Sequence, residues 1–270
     1  MLARFVHALL GAVPASLVGR SRTFGGGARA VEALVALVGR PLEGRTVAIP
    51  RGEARGISFR AERRSLAWIT GKVEPEVQRA LRSLVAPGAT FVDAGASIGF
   101  FTVLGARLVG PAGRVVAFEP NGAAAAAIRT NADLNGFENV VIVPKALSDR
   151  DGYGFLDGRA GATSALVDVP TPTATRVRTT SLDTFLSERS ELAPHVVKID
   201  VEGHEAAVLR GMAATLKAVR PVVIVEMHGD RRFLSILDEA GYTCSVVEGY
   251  VSPTDAPSWA HVLGLPADYS

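Results

Sequence analysis

Along most of this chain, segments with the hydrophobic period of a β-strand alternate with segments that have the period of an α-helix. Short apolar runs predict strands at 90–94, 114–118, 139–143, 195–200, 221–227 and 242–247, with a last strand near 259–264. Longer amphipathic stretches predict helices at 74–85, 97–109, 122–135, 203–218 and 230–240. Such alternation is typical of an α/β fold, here a doubly wound, mostly parallel, seven-stranded sheet with helices on both faces.

The pattern is less regular before the first of these strands, and again over residues 150–180. Residues 1–40 predict two helices separated by three glycines, and residues 45–70 predict short strands. We therefore expect an N-terminal helical and short-strand extension over residues 1–70 and one main domain over residues 71–270. Residues 150–180, rich in Gly, Thr and Pro, predict a hairpin or a flexible loop over the carboxyl edge of the sheet.

The first strand, the helix after it and the second strand predict a site for a nucleoside. Gly95 and Gly99 allow the backbone between strand and helix to pass close to a ligand. The helix starting near Ser97 directs its free N–H groups towards that ligand. Glu119 follows the second strand, where a carboxylate can accept hydrogen bonds from both ribose hydroxyls.

The residues of the turn favour one cofactor over another. A dinucleotide turn requires the pattern Gly-x-Gly-x-x-Gly, and Ala96 and Ser97 depart from it. Asp93 would repel a phosphate, whereas it suits the sulfonium and ammonium groups of S-adenosylmethionine. The turn therefore predicts S-adenosylmethionine rather than NAD. The alternative is an ordinary strand–helix turn in which the glycines serve packing alone.

Ionisable residues follow two further predicted strands. Asp200, Glu202 and His204 come after the fourth strand, and Glu226 and His228 end the fifth. Ligands of open α/β sheets bind outside the carboxyl ends of the strands, so these side chains are expected on the same edge as the nucleoside. Each has a structural alternative, since Asp200 can cap the next helix and a histidine at a strand end can serve packing.

Methyl transfer to a hydroxyl requires alignment of the reactants and removal of a proton. The candidate catalytic residues are Asp200, Glu226, His228 and His204. Either histidine can act as the general base. Asp200 and Glu226 can orient that base or, with His228, bind a divalent cation that acidifies the hydroxyl. The oxygen-rich set favours Mg²⁺ or Mn²⁺ over Zn²⁺.

Composition excludes several classes of protein. The 270 residues are 48% hydrophobic and 21% charged with a net charge of +2, and no basic run indicates nucleic acid. One cysteine, Cys244, excludes a disulfide framework and suits a cytoplasmic location. The apolar residues 1–18 are short for a membrane span, so a helix packed on the body or on a second subunit, as in a homodimer, is expected. Peripheral membrane contact through residues 1–20 is the alternative.

The motifs together resemble those of the FkbM-type methyltransferases, which are class I enzymes that use S-adenosylmethionine. The matching residues are 92–102, Phe118-Glu119-Pro120-Asn121, Asn131, Asn135, Ala146-Leu147-Ser148, 179–183, 198–205, Leu209, Gly211 and Glu226-Met227-His228. The resemblance covers roughly residues 70–245, and its most specific element is Lys198-Ile199-Asp200-Val201-Glu202-Gly203.

This resemblance implies particular site residues. The cofactor-binding set is expected to comprise Asp93, Gly95, Ala96, Ser97, Gly99, Glu119, Pro120, Leu147, Ser148 and Asp200. Leu147 and Ser148 would lie near the adenine, and Asp200 beside the transferred methyl. Ser97 stands where the family commonly has Asn, and a serine there can still cap the helix. The implied acceptors are hydroxyls of sugars, glycolipids or natural products.

Two other functions compete with an O-methyltransferase. An NAD-dependent oxidoreductase would share the sheet, but the pyrophosphate pattern is broken and no Tyr-x-x-x-Lys pair follows the fourth strand. A cofactor-binding partner subunit without catalysis would not need Asp93, Glu119, Asp200 and His228 together.

Overall fold

The structure is a computed structural model that describes residues 42–62, 65, 67–157, 165–167 and 171–269. The helices expected in residues 1–40 and the membrane contact expected in residues 1–20 lie outside the described residues. Among the helices that are described, none is both long and apolar enough to cross a membrane.

The predicted fold class is confirmed, because a seven-stranded sheet forms the centre of the molecule. Its order is β5–β4–β3–β10–β11–β13–β12, and every strand is parallel to its neighbours except β13, which is antiparallel to both. The seven strands are β3 (Thr90–Ala94), β4 (Arg114–Phe118), β5 (Val140–Val143), β10 (Val196–Ile199), β11 (Val222–Glu226), β12 (Tyr242–Val246) and β13 (His261–Pro266).

Helices cover both faces of this sheet. The described helices are α1 (Pro75–Leu84), α2 (Phe100–Val109), α3 (Gly122–Asp133), α4 (Leu182–Ser187), α5 (Glu205–Arg210), α6 (Ala213–Ala218) and α7 (Arg232–Glu239). Successive side chains of a strand point to opposite faces. Val196 and Ile224 therefore join the core under α1, α2 and α3, while Val197 and Val223 join the core under α4 to α7.

Two predicted helices differ from the structure. The helix expected over 203–218 is two helices, α5 and α6, because the chain turns at Gly211 and Met212. A Cβ on Gly211 would lie 1.9 Å from the carbonyl oxygen of Ser148, so the turn follows from a close backbone contact. The helix expected from residue 97 begins at Phe100. Helix α4 was not predicted, although Ser181 caps it by accepting from the N–H of Thr184.

The segment expected to be a hairpin or loop at 150–180 contains strands. A second, four-stranded sheet has the order β6–β9–β7–β8. Its strands are β6 (Ala146–Leu147), β7 (Gly152–Asp157), β8 (Ala165–Val167) and β9 (Thr175–Thr180). Strand β7 pairs antiparallel with both β8 and β9, so the described part of this segment is a small sheet rather than a single hairpin or a loop.

The described part of the expected extension is a hairpin docked on the main domain. Strands β1 (Thr46–Ala48) and β2 (Ser58–Arg60) pair antiparallel, and Phe59 is fully buried in the same core as α2 and α3. Two amides hold the edge of β2, that of Asn131 in α3 and that of Asn135 just after the end of α3. The boundary at residue 70 remains a prediction.

Candidate active site

The glycine turn after β3 has the left-handed backbone that its sequence predicts. Gly95 has a φ of +82°, and a Cβ on it would lie 1.9 Å from the carbonyl oxygen of Asp200. Gly99 ends the turn with a φ of +86° and precedes α2. Ser97 also has a positive φ, of +50°. The turn therefore packs directly against the chain that leaves β10.

The serine at this turn does not cap the helix as expected. Gly99 is the N-cap residue of α2, and no side chain caps it. The backbone N–H of Ser97 instead donates to Oε2 of Glu119 at 2.8 Å. The N–H of Asn121 donates to Oε1 at 2.8 Å, so both oxygens of Glu119 are oriented by the backbone.

Glu119 is a buried carboxyl at the end of β4, with 7% of its surface exposed. Burial raises its pKa to about 7, against the two backbone hydrogen bonds, which favour the charged form. Ala96 lies beside it, and the N–H groups of Gly95 and Ala96 both donate to the carbonyl of Phe118. Hydrogen bonds thus connect the glycine turn after β3 to the end of β4, where Glu119 and Pro120 lie.

A polar row crosses the face of the sheet that carries α1 and α2. Asp93 of β3 pairs in register with Lys198 of β10, and both are 1% exposed. The ammonium of Lys198 donates to Oδ2 of Asp200 at 3.1 Å and lies 4.7 Å from the centre of the Phe101 ring. Asp93 accepts from the hydroxyl of Thr102 at 2.6 Å, so its carboxyl lies beneath the turn rather than on its surface.

Burial and neighbouring charges act in opposite directions on this row. Burial would lower the pKa of Lys198, but Asp200, Glu74 and Asp93 outweigh it and raise that pKa. Burial raises the pKa of Asp93, although Lys198 and Thr102 oppose the rise. Lys198 is therefore a fixed cation under the site.

Acids from β10 and β11 surround the imidazole of His228. Its Nε2 lies 3.7 Å from Oδ1 of Asp200, 3.6 Å from Oε1 of Glu226 and 3.3 Å from Oε2 of Glu202. Asp200, Glu226 and His228 can hold a metal ion, because their ligand atoms all lie within 4.8 Å of one another. The structure thus brings together three of the four predicted catalytic residues.

A fourth acid fixes the orientation of this imidazole. Nδ1 of His228 lies 2.8 Å from Oε1 of Glu205, so Nδ1 carries the proton and Nε2 faces Asp200 and Glu226. Burial would lower the pKa of His228, but Glu205, Glu226 and Asp200 raise it overall. The sequence placed Glu205 in the first turn of the helix predicted over 203–218 and indicated no role for it at the site. Its side chain is 1% exposed, and it also accepts from the N–H of Gly203.

The fourth predicted catalytic residue, His204, contacts a different partner. Its Nε2 shares a hydrogen bond of 2.9 Å with the hydroxyl of Ser148, which was predicted near the adenine. Leu147 is 2% exposed and Ser148 is 6% exposed, so both lie largely inside the fold. The His204–Ser148 pair therefore links the α5 end of the site to the strand β6.

Sequence reasoning missed a second cluster beside the first. His261 begins β13 and is paired in register with Glu226 of β11. Its Nδ1 lies 2.6 Å from Oε1 of Glu248, and its Nε2 lies 3.4 Å from Oε2 of Glu74 and 3.7 Å from Oε2 of Glu226. Burial would lower the pKa of His261, but Glu248, Glu74 and Glu226 raise it to about 10.

The sequence offered no short-range signal for this second cluster. Glu74, Glu226, Glu248 and His261 are far apart in the chain, and only the antiparallel insertion of β13 next to β11 joins them. The pairing of a late strand across a parallel sheet is a property of topology, which hydrophobic periodicity does not encode.

Comparison with known proteins identifies the family. The model of the methyltransferase FkbM domain matches residues 93–244, which is more than half of the chain. A curated relative, the hexuronic acid methyltransferase AglP of Haloferax volcanii, is 34% identical over 114 residues. That alignment covers 42% of this chain and 47% of AglP, so the chain matches about half of the length of this relative.

Two solved structures are similar to this chain at low sequence identity. An FkbM methyltransferase from Methylobacillus flagellatus is 14% identical, with a TM-score of 0.46 over 88% of this chain and 60% of that one. An S-adenosylmethionine-dependent O-methyltransferase from Thermotoga maritima is also 14% identical, with a TM-score of 0.49 over 84% of this chain and 80% of that one.

Proposed function

Because this chain belongs to the FkbM methyltransferase family, we propose that it is an S-adenosylmethionine-dependent O-methyltransferase acting on a hydroxyl of a sugar or a related glycoside. The relative AglP, described as a hexuronic acid methyltransferase, supports a sugar acceptor.

One contact carries the proposal. The backbone of Gly95 packs so closely on the carbonyl of Asp200 that no side chain fits between them. The turn suited to a nucleoside therefore adjoins the cluster of Asp200, Glu226 and His228, which is suited to deprotonating a hydroxyl. A methyl donor on the turn and an acceptor at the cluster would meet at the ends of β3 and β10.

The residues of the turn fit S-adenosylmethionine. Each oxygen of Glu119 accepts one backbone N–H and retains capacity for a ribose hydroxyl. Gly95, Ala96, Ser97, Gly99 and Pro120 form the surface on which the nucleoside would lie, with Leu147 and Ser148 towards the adenine. Asp93 would act from beneath, by fixing Thr102 and Lys198. When bound, the cofactor supplies a methyl group from its sulfonium.

The acceptor side fits an in-line displacement. Such a displacement would join the hydroxyl oxygen to the methyl carbon and leave the electron pair of the carbon–sulfur bond on sulfur, while the hydroxyl proton would pass to the cluster. Asp200, Glu226 and His228 would orient the hydroxyl and receive its proton, with Glu205 holding the ring of His228. A divalent cation held by the same three residues, such as Mg²⁺, would supply positive charge that lowers the pKa of the hydroxyl.

The wider setting of the enzyme belongs to the same proposal. We place it in the cytoplasm, where S-adenosylmethionine is made, as a homodimer that acts on a small-molecule acceptor and not on nucleic acid. The segments at 45–74, 150–180 and 249–258 are proposed to shape the acceptor pocket.

Methyl transfer from labelled S-adenosylmethionine to hexuronic acids, neutral sugars and glycosides tests this function. Product mass and fragmentation should locate the methyl on oxygen. Asp200→Asn should lower turnover by about 10²–10⁴-fold, whereas Glu239→Gln, on the exposed side of α7, should leave turnover unchanged. Equal turnover of Asp200→Asn and the wild type would reject the assigned chemistry, and reduction of NAD by an alcohol would favour an oxidoreductase.

A further inference from the structure

We infer that the carboxyl edge of this sheet binds a pair of divalent transition-metal cations bridged by the carboxylate of Glu226. One cation would lie among His228, Asp200 and Glu202, and the second among His261 and Glu74. This inference deepens the proposed function, on which the placing of the first cation beside the acceptor depends. The second site involves residues that neither the motifs nor the comparisons point to.

The two halves of the cluster have the same construction. In each half, a carboxylate lies within hydrogen-bond distance of Nδ1 of a histidine and directs its Nε2 towards further carboxylates. Glu205 does so for His228 at 2.8 Å, and Glu248 does so for His261 at 2.6 Å. A carboxylate behind the histidine is the usual outer support of a metal-binding imidazole, because it fixes the tautomer and the ring orientation.

Glu226 joins the halves through its two oxygens. Oε1 lies 3.6 Å from Nε2 of His228, and Oε2 lies 3.7 Å from Nε2 of His261. The side chain is 3% exposed at the end of β11, and its neighbours in both halves come from other elements. A carboxylate that offers one oxygen to each of two histidine-containing sites is arranged as a bridge.

In each half, one distance from the histidine to a carboxylate suits a shared cation better than a hydrogen bond, while the oxygens of Asp200 and Glu226 lie slightly farther away, at 3.6–3.7 Å. Atoms bound to one cation at about 2.0–2.2 Å lie about 3–3.5 Å from each other. Nε2 of His228 lies 3.3 Å from Oε2 of Glu202, and Nε2 of His261 lies 3.4 Å from Oε2 of Glu74. Both separations exceed a good N–H···O hydrogen bond and match the edge of a coordination shell.

Buried atoms in both halves lack a hydrogen bond. Nε2 of His261 has no hydrogen-bond partner although its side chain is only 3% exposed, and it points towards Glu74 and Glu226. Nε2 of His228 and Oε2 of Glu74 are likewise buried without one. A buried polar atom without a hydrogen bond costs about 1–3 kcal/mol, so the presence of such atoms in both halves indicates a ligand in each.

Charge and backbone strain support the same conclusion. Six carboxylates, those of Glu74, Asp200, Glu202, Glu205, Glu226 and Glu248, surround the two imidazoles, and the ammonium of Lys198 pairs with Asp200. Glu74 and Glu202 have left-handed backbones, with φ of +46° and +54°. Such conformations cost about 1–3 kcal/mol and persist at functional sites, and here they aim the two acids at the histidines.

The ligand types select the class of cation. Each half combines one imidazole with carboxylate oxygens, a set that suits first-row transition cations such as Mn²⁺, Fe²⁺ and Zn²⁺. Mg²⁺ binds imidazole less readily and retains its waters. The ligand set of the first half therefore favours Mn²⁺ among the two cations expected from the sequence, and Mn²⁺ is the probe of choice.

Metal counting on the full chain tests the pair. Protein stripped with a chelator, loaded with Mn²⁺ and freed of excess by gel filtration should retain two Mn²⁺ per chain, measured by elemental mass spectrometry. Electron paramagnetic resonance should show the broad spectrum of two exchange-coupled ions rather than that of isolated Mn²⁺. Retention of one cation or none would overturn the inference.

Variants separate the two sites. His261→Ala should retain one Mn²⁺ with an uncoupled spectrum, while His195→Asn, at the opposite edge of the sheet, should retain two. Glu248→Gln keeps the shape of the side chain and should weaken one of the two sites by about 10–100-fold, which preserves the test if His261→Ala does not fold. Two coupled cations in a folded His261→Ala protein would contradict the second site.

The two proposals fail in different ways. Calorimetry with S-adenosylhomocysteine on the same preparations measures the cofactor site without any methyl transfer. Two bound cations with no binding of S-adenosylhomocysteine would reject the proposed function and keep the metal pair. Binding of S-adenosylhomocysteine by a chain that retains no Mn²⁺ would reject the metal pair and keep the proposed function.

Discussion

At the scale of single residues, Glu119 is the clearest case of a side chain tuned by its surroundings. Burial raises its pKa to about 7, so near neutral pH it is divided between the acid and the carboxylate. The carboxylate is the better acceptor for ribose hydroxyls, because the acid form uses one oxygen as a donor. Its charge state should therefore control the affinity for the cofactor.

Affinity for S-adenosylhomocysteine should rise with pH. Ionised Glu119 increases from about one-tenth to about nine-tenths of the molecules between about pH 6 and pH 8, so the dissociation constant should fall about tenfold. Glu119→Gln should bind more weakly and with little dependence on pH, as measured by calorimetry. A wild-type dissociation constant that does not change over this range would contradict the assigned role.

The same shift has a consequence for stability. The folded protein holds the proton of Glu119 up to a pKa of about 7, whereas the ordinary value is 4.5. Between these values the folded state binds more protons than the unfolded state, so the contribution of Glu119 is complete below the lower value and is lost as pH rises through the upper one. Urea unfolding of Glu119→Gln at several pH values should show a flatter profile than the wild type.

Lys198 supplies the fixed positive charge beneath the site, and its removal should be costly. Lys198→Met leaves the carboxyls of Asp93 and Asp200 without their cation, and breaking a buried pair costs about 3–5 kcal/mol. Urea unfolding should show this loss, while Lys217→Met on the exposed side of α6 should change stability by less than about 0.5 kcal/mol. Similar stability of the two variants would show that Lys198 does not balance the acids.

At the scale of elements, the turn between β3 and α2 combines a left-handed backbone with a close contact. Gly95 and Gly88 have almost the same φ, of +82° and +83°, but only Gly95 would place a Cβ against another residue. The two glycines therefore allow the conformational cost to be separated from the steric cost.

Gly95→Ala should damage the protein more than Gly88→Ala. Gly88→Ala should lose only the free energy that an alanine needs to adopt a positive φ, about 1 kcal/mol. The first also forces the turn away from Asp200, so both unfolding free energy and the affinity for S-adenosylhomocysteine should fall further, with affinity reduced at least about tenfold. Equal effects on affinity would mean that the contact of Gly95 with Asp200 does not shape the cofactor site.

The elements of the main sheet could be predicted because hydrophobic periodicity is strong there. Each predicted strand of the sheet corresponds to an observed one within about two residues, a precision expected for element ends. The break between α5 and α6 could not be predicted, since it depends on the contact of Gly211 with the distant Ser148. The small sheet from β6 to β9 lacked a clear pattern because its strands are short and rich in Thr and Gly.

At the scale of the whole molecule, two asparagines connect the N-terminal hairpin to the main domain. Asn135 accepts from the N–H of Ser58 and donates to its carbonyl, at 2.8 and 2.7 Å. Asn131 accepts from the N–H of Arg60 and donates to the carbonyl of Ile98 in the glycine turn. The hairpin, α3 and the glycine turn are therefore held together by two side chains.

Loss of one of these amides should loosen the hairpin. Asn135→Ala leaves both backbone groups of Ser58 without a partner, which costs about 1–3 kcal/mol. Hydrogen exchange over 46–60 should accelerate about tenfold or more, with α5 to α7 unaffected. Thr130→Ala, on the exposed side of the preceding helix α3, is the control. Unchanged exchange in the hairpin of Asn135→Ala would show that packing of Phe59 alone holds it.

One part of the candidate site could be predicted from the sequence, and the other part depends on how the chain folds. Asp200, Glu226 and His228 were predictable as one cluster because adjacent parallel strands end at the same edge. Glu74 and His261 were not, because a helix N-terminus and an antiparallel strand bring them there from opposite ends of the main domain. Ser97 was misassigned as a cap because the residue that begins α2 depends on the backbone of Gly99.

Binding of S-adenosylmethionine tests the central claim most directly. Calorimetric titration of the folded protein should give a dissociation constant in the micromolar range, and Glu119→Ala should abolish the signal while retaining the circular dichroism spectrum of the wild type. NAD should give no heat of binding. A folded wild-type protein that binds NAD but not S-adenosylmethionine would contradict the assignment of the turn and, with it, the proposed methyl transfer.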